Sequence, residues 1–106
     1  MDIITLSVGQ YEDKEWNFTI SNFPDLNNFT LKSQIRDSEG ILQGEMSCLV
    51  DNAAQFKVQI SATVSGLILP GNYLFDIMAT NIVDGKNYFI IPVSNITIID
   101  TVTEPA

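Results

Sequence analysis

GNYLFDIMATNIVDGKNYFIIPVSNITIIDTVT, residues 71–103, carries the clearest strand signals in the chain. Tyr73, Phe75, Ile77 and Ala79 recur at every second position, the period of a half-buried strand. Asp84-Gly85 follows. Gly supplies the positive φ that a tight reversal needs, so this pair between two apolar runs predicts a hairpin. A second run, Tyr88–Val93, and a third, Ile96–Ile99, complete an expected antiparallel meander of three strands.

The alternation continues outward from this stretch. Residues 3–8 read as a first strand through Ile4, Leu6 and Val8. Trp16, Phe18 and Ile20 mark a second, with Trp16 as a core anchor. Residues 21–28 are a loop built on Pro24-Asp25 turn chemistry, from which Phe23 and Leu26 tuck under the sheet edge. Phe29, Leu31, Ser33 and Ile35 form the inner face of a third strand, and Lys32, Gln34 and Arg36 its wet face. Asp37-Ser38-Glu39-Gly40 is a turn. A weaker strand spans residues 41–50, with Gly44 as a bulge or break. Asp51–Ala54 is a further turn, and Gln55–Ala62 a clear strand. Residues 63–69 break the alternation and predict a short helical turn or crossover, with Leu67 and Leu69 capping one end of the core. The tail, 103–106, is expected to fray.

Seven to eight strands separated by turn signals every 8–12 residues predict an all-β fold, a sandwich or small barrel; one apolar and one polar face per strand favour a single antiparallel β-sandwich domain over residues 1–106. At 106 residues and 45% apolar content, one core without covalent staples suffices.

Composition narrows the chemistry. Thirteen acidic and five basic residues give a net charge of −8. That argues against nucleic acid, whose affinity comes from Lys and Arg neutralising phosphates, and against an anionic membrane surface. No apolar run approaches the length of about 20 residues that spans a bilayer. The N-terminal MDIITLSVGQ has no basic region followed by an apolar stretch, so synthesis in a cytoplasm is expected. The single cysteine, Cys48, excludes an intramolecular disulfide and reads as a buried, inert thiol.

With no histidine, Ser–His–Asp and Cys–His catalysis are excluded. Asp37-Ser38-Glu39 and Asp84 could offer oxygens to calcium, but they lack EF-hand spacing and read as turn residues. Tyr11, Tyr73, Tyr88 and Phe89 are candidates for a sugar-stacking platform, with Tyr73 better placed as a corner residue at a strand start. Three Asn-x-Ser/Thr triplets, at Asn17, Asn28 and Asn95, read as coincidence in an Asn- and Thr-rich chain, their threonines fitting solvated sheet faces. The residues thus predict no enzyme: no catalytic, cofactor-binding or metal-ligating set is expected.

One resemblance adds to this reading. Leu69-Pro70-Gly71-Asn72-Tyr73-Leu74-Phe75-Asp76-Ile77, then Asp84-Gly85, then Ile96-Thr97-Ile98 and Val102-Thr103 form an ordered set. Together with the phrase from Phe23 to Leu31, this set resembles immunoglobulin-like β-sandwich modules of tailed-bacteriophage structural proteins. These include the N-terminal domain of baseplate upper proteins and small tail, neck or head-decoration proteins. Pro92-Val93-Ser94-Asn95 stands where such modules usually have Gly. The resemblance implies an immunoglobulin-like sandwich and a multi-copy virion component, made in a bacterial host cytoplasm. Its partners would be other virion proteins, in the tail, baseplate or neck. A head decoration protein and a fibre module binding host-surface carbohydrate are the alternatives. The first strand (3–8) and the last (96–102) are the expected edges for pairing with a neighbour.

Overall fold

The computed structural model describes residues 3–101. It is all-β, with seven strands: β1 (Thr5–Gly9), β2 (Lys14–Thr19), β3 (Phe29–Arg36), β4 (Leu42–Val50), β5 (Gln55–Ile60), β6 (Gly71–Asn81) and β7 (Asn87–Ile99). One short helix, α1 (Ala62–Leu67), joins β5 to β6, and a 3-10 turn at Leu26–Asn28 precedes β3. The strands form one sheet in the order β1-β7-β6-β3-β4-β5-β2, nearly closed into a barrel. The expected tail, 103–106, and the end of the motif at Val102-Thr103 lie outside the described residues.

β4 turns the sheet over its own core. Its first half pairs with β3 (Arg36↔Leu42 to Ser33↔Met46) and its second half with β5 (Ser47↔Gln59 to Val50↔Phe56). The register slips between Ile35 and Arg36, which face Gly44 and Leu42 and leave Gln43 unmatched. This is the bulge expected at Gly44, and an extra residue of this kind bends a strand. The space a side chain would take there is filled by the α1 region: a Cβ on Gly44 would lie 2.9 Å from Val64 Cγ1 and 3.4 Å from the buried Ile68 Cδ1. Ser61 starts that helix by accepting a hydrogen bond from the Val64 N–H at 3.2 Å.

The inward rows follow the alternation. Leu6 and Val8, Phe56, Val58 and Ile60, and Phe75, Ile77 and Ala79 are buried. Phe18 stacks on Phe56 across the β2–β5 ladder with ring centroids 5.2 Å apart. Leu26 is fully buried, and its N–H is tied to the Ala53 carbonyl at 3.0 Å. Phe23 packs edge-on against Tyr88 and tilted against Phe29. Trp16 is half-buried against the core.

Four expectations need correction. Tyr88–Val93 and Ile96–Ile99 are one strand, β7, not two. Its register against β6 shifts twice, because Pro92 and Val93 together face Asp76, and Ile90 is extra between Phe89 and Ile91. Pro92, which has no N–H, is accommodated in the bulge without ending the strand. Secondly, β1 pairs with β7 in parallel, Thr5↔Asn95 to Gly9↔Ile99, so the sheet is not purely antiparallel. The last strand is accordingly flanked by β1 and β6 over residues 95–98 and is not a free edge there; the two edge strands are β1 and β2. Thirdly, β5 ends at Ile60, because Ser61 caps the helix that contains Ala62. Fourthly, Leu67 and Leu69 are 80% and 76% exposed, and Ile68 between them closes the core at 1%. A helix of one and a half turns leading into an extended residue sends only that one of the three side chains inward.

Candidate functional site: the outer face of β3, β6 and β7

The bulges that keep β7 continuous also build a surface groove of about 370 Å³ on the outer face of β3, β6 and β7. The register lays out its rows. Lys32 on β3 pairs with Met78 on β6, which pairs with Phe89 on β7. One step along lie Gln34, Asp76 and the Pro92–Val93 bulge, and a further step brings Arg36 opposite Leu74. The β3 stripe is therefore polar and basic, and the β7 stripe apolar. Phe89 is 64% and Val93 57% exposed.

Hydrogen bonds fix the polar stripe. Arg36 donates from Nη1 to the Gly40 carbonyl at 2.9 Å and from Nη2 to Gln34 Oε1 at 2.8 Å, while Gln34 Nε2 donates to Glu45 Oε1 at 2.9 Å. In the middle, the Ser33 hydroxyl on the buried face donates to the Asp76 carbonyl at 2.7 Å. The side chain thus satisfies a backbone acceptor at a position where β7 is bulged. Burial pushes the Asp76 carboxyl above its ordinary 3.8, with the Arg36 charge acting in the opposite direction. This face can supply apolar contact area, two cations and two half-buried carboxyls, Asp76 and the turn residue Asp37.

A second groove, also about 370 Å³, lies over β2, β4 and β5 and is lined by Asp13, Glu15 and Glu45. Its carboxylates are already engaged: Asp13 with the Ala62 N–H, Glu15 with Gln59, and Glu45 with Gln34. Among the described residues, no group of three metal-ligating side chains comes together.

The candidate calcium oxygens sit in turns. Asp37 Oδ1 accepts from the Glu39 and Ile41 N–H groups, both at 2.9 Å, and Gly40 takes φ 84°. Asp84 Oδ1 accepts from the Lys86 N–H at 2.8 Å, beside Gly85 at φ 73°. The aromatic candidates are dispersed. Tyr11 lies against Gly66, Tyr88 against Phe23 and Phe29, and Phe89 on the outer face, while Tyr73 bonds its own chain at Leu69. Cys48 is half-buried and unpaired, and burial pushes its thiol up to about 11.

The residues that sequence reasoning did not gather are Met78, Phe89 and Val93 beside Lys32 and Arg36. The wet face of β3 is readable from its alternation. The β7 half is not, because the bulges break the period that would assign Phe89 and Val93 to one face. No protein-family model and no curated protein matches the chain.

Proposed function

We propose that the chain is an immunoglobulin-like β-sandwich module that serves as a non-enzymatic docking part of a tailed-bacteriophage particle, in its tail, baseplate or neck. The sandwich reading takes β1, β7, β6 and β3 as one sheet and β5 and β2, with the second half of β4, as the other. β4 carries the chain between the two layers. It is supported by the hydroxyl of Tyr73, which donates to the Leu69 carbonyl at 2.6 Å. Sandwiches of this type carry a tyrosine near the start of the corresponding strand, bonded to backbone just upstream.

The observation that carries the docking reading is the outer face of β3, β6 and β7. Phe89 and Val93 stand exposed there beside Met78 and Leu74, with Lys32 and Arg36 along one side. Contiguous apolar surface rimmed by polar groups marks contact with another macromolecule more often than solvation. The virion assignment rests on the sequence resemblance of residues 23–31, 69–77, 84–85, 96–98 and 102–103.

The test is a pull-down from lysates of phage-infected host cells with the purified chain, followed by mass spectrometry. Capture of virion structural proteins by the native chain, reduced at least tenfold by a Phe89→Ser, Val93→Ser double variant, is the expected result. Equal capture by both forms, or no virion protein captured, contradicts the reading.

A further inference from the structure

The two edge strands of the sheet, β1 and β2, follow each other in sequence and are joined by Gln10–Asp13. No ladder joins them; the Lys14 ammonium reaches across to the Ser7 carbonyl at 3.0 Å. The bonds of the connection divide at Tyr11. On its N-terminal side, the Gln10 N–H donates to the Ile99 carbonyl at 2.9 Å and Gln10 Nε2 to the Ile68 carbonyl at 2.9 Å, and Thr101 Oγ1 donates to the Gln10 carbonyl at 3.2 Å. On its C-terminal side, the Glu12 carbonyl accepts from Ser65 Oγ at 3.0 Å, and Asp13 Oδ1 accepts from the Ala62 N–H at 2.6 Å. Besides the Lys14–Ser7 bond, two bonds close the reversal itself: Glu12 N–H to the Gly9 carbonyl at 3.2 Å, and Gly9 N–H to Glu12 Oε1 at 2.9 Å.

Tyr11 itself has φ 63°. That region is strained for a bulky side chain. Its ring covers Gly66 so closely that a Cβ there would lie 2.4 Å from Tyr11 Cδ1.

We infer that Tyr11 is a hinge at which β1 exchanges between two copies of this chain, each β1 completing the β7 edge of the other copy. An extended connection returns Tyr11 to ordinary backbone and removes the strain. Short, strained hinge loops favour this kind of exchange. The bonds on the N-terminal side and the Lys14–Ser7 bond re-form between the two copies, those on the C-terminal side stay with the first, and only the two bonds between Gly9 and Glu12 are lost. Leu6 and Val8, buried at 7% and 1%, are buried again in the same places. β1 is held laterally by a parallel ladder of five residues, which is slightly weaker per residue than antiparallel pairing. The net charge of −8 on each copy opposes the encounter, so exchange is favoured by high protein concentration and by salt. The inference is independent of whether the partner in a particle is a virion protein.

Two experiments decide it. Proline at position 11 fixes φ near −65° and forbids the closed turn. The Tyr11→Pro chain is therefore expected to run as a dimer in size-exclusion chromatography with light scattering, and the Tyr11→Gly chain as a monomer. A folded, monomeric Tyr11→Pro chain overturns the inference.

The second experiment stands even where Tyr11→Pro does not fold. Ser7 and Thr97 are register partners across β1 and β7. A Ser7→Cys, Thr97→Cys, Cys48→Ser chain is refolded from denaturant at millimolar concentration in high salt, then oxidised. Non-reducing electrophoresis is expected to show a disulfide-linked dimer in at least a tenth of the folded chain, with the fraction rising with concentration. Bridges confined within single chains at every concentration overturn the exchange.

Discussion

The hydroxyl of Tyr73 donates a 2.6 Å hydrogen bond to the carbonyl of Leu69, four residues upstream, and so pins the entry of β6 to the end of the α1 connection. Gly71, at φ 156°, lets the chain reverse between them while the tyrosine ring lies over it. Tyr73→Phe keeps the half-buried ring and loses the bond. The Leu69 residue is exposed, so water can replace the donor. Chemical denaturation is expected to show a loss of about 0.5–1 kcal/mol, toward the low end for one hydrogen bond.

Ser33→Ala is expected to cost more, although it removes a single hydroxyl. Ser33 is 1% exposed and its donor serves the Asp76 carbonyl at 2.7 Å. Without it a backbone acceptor is left without its partner, at about 1–3 kcal/mol. The ordering of the two variants, Ser33→Ala below Tyr73→Phe in denaturation midpoint, checks the assignment of Ser33 to the inner face.

Two glycines separate crowding from backbone strain. Gly44→Ala places a methyl 2.9 Å from Val64 Cγ1 and 3.4 Å from Ile68 Cδ1. Overpacking of this kind costs about 1–3 kcal/mol and should loosen α1 from β4. Gly40→Ala meets nothing within 4 Å but must hold φ 84°, a left-handed conformation costing about 1–2 kcal/mol. Hydrogen exchange is expected to show faster α1 amides in Gly44→Ala and faster amides limited to residues 37–41 in Gly40→Ala.

The Asp76 carboxyl gives a pH dependence of defined sign. Its folded value is raised, by burial first, above the ordinary 3.8. The folded chain therefore holds this proton more tightly than the unfolded chain, and the carboxyl's contribution to stability falls as pH rises from about 3.8 through the raised folded value. Asp76→Asn removes the penalty. Denaturation midpoints are expected to be higher for Asp76→Asn than for the native chain at pH 7, with the difference shrinking as pH drops below about 3.8.

Cys48 pairs with Val58 on β5, and burial lifts its thiol from 9.0 to about 11. Thiolate is the reactive form, and each unit changes its fraction tenfold. Alkylation at pH 8 is expected to run about 100-fold slower in the folded chain than in denaturant.

The inward rows were legible in the sequence because a strand buried on one face repeats at two. Phe75, Ile77 and Ala79 are inside, as are Val58 and Ile60, and even Ser33 falls on its expected side. Pairing was less legible. Nothing local to Leu6 or Ile96 specifies that their strands run parallel, since the connection between them spans nearly the whole chain. Tyr88–Val93 and Ile96–Ile99 read as two runs because the Pro92–Val93 bulge opposite Asp76 shifts the period between them, although the strand is continuous. The candidate site was the least legible part. Lys32 and Phe89 share a row only across two ladders, by way of Met78, and Val93 joins that face only after two register shifts; no sequence period crosses such a path.

Cross-linking mass spectrometry on purified phage particles probes the proposed docking face in its assembled setting. Lys32 presents an amine on the docking face, whereas Lys57 lies on β5, far along the sheet order. The account predicts that the chain is present in the particle and that Lys32 is cross-linked to another structural protein. Absence of the chain from particles, or cross-links to partners through Lys57 with Lys32 left free, would contradict it.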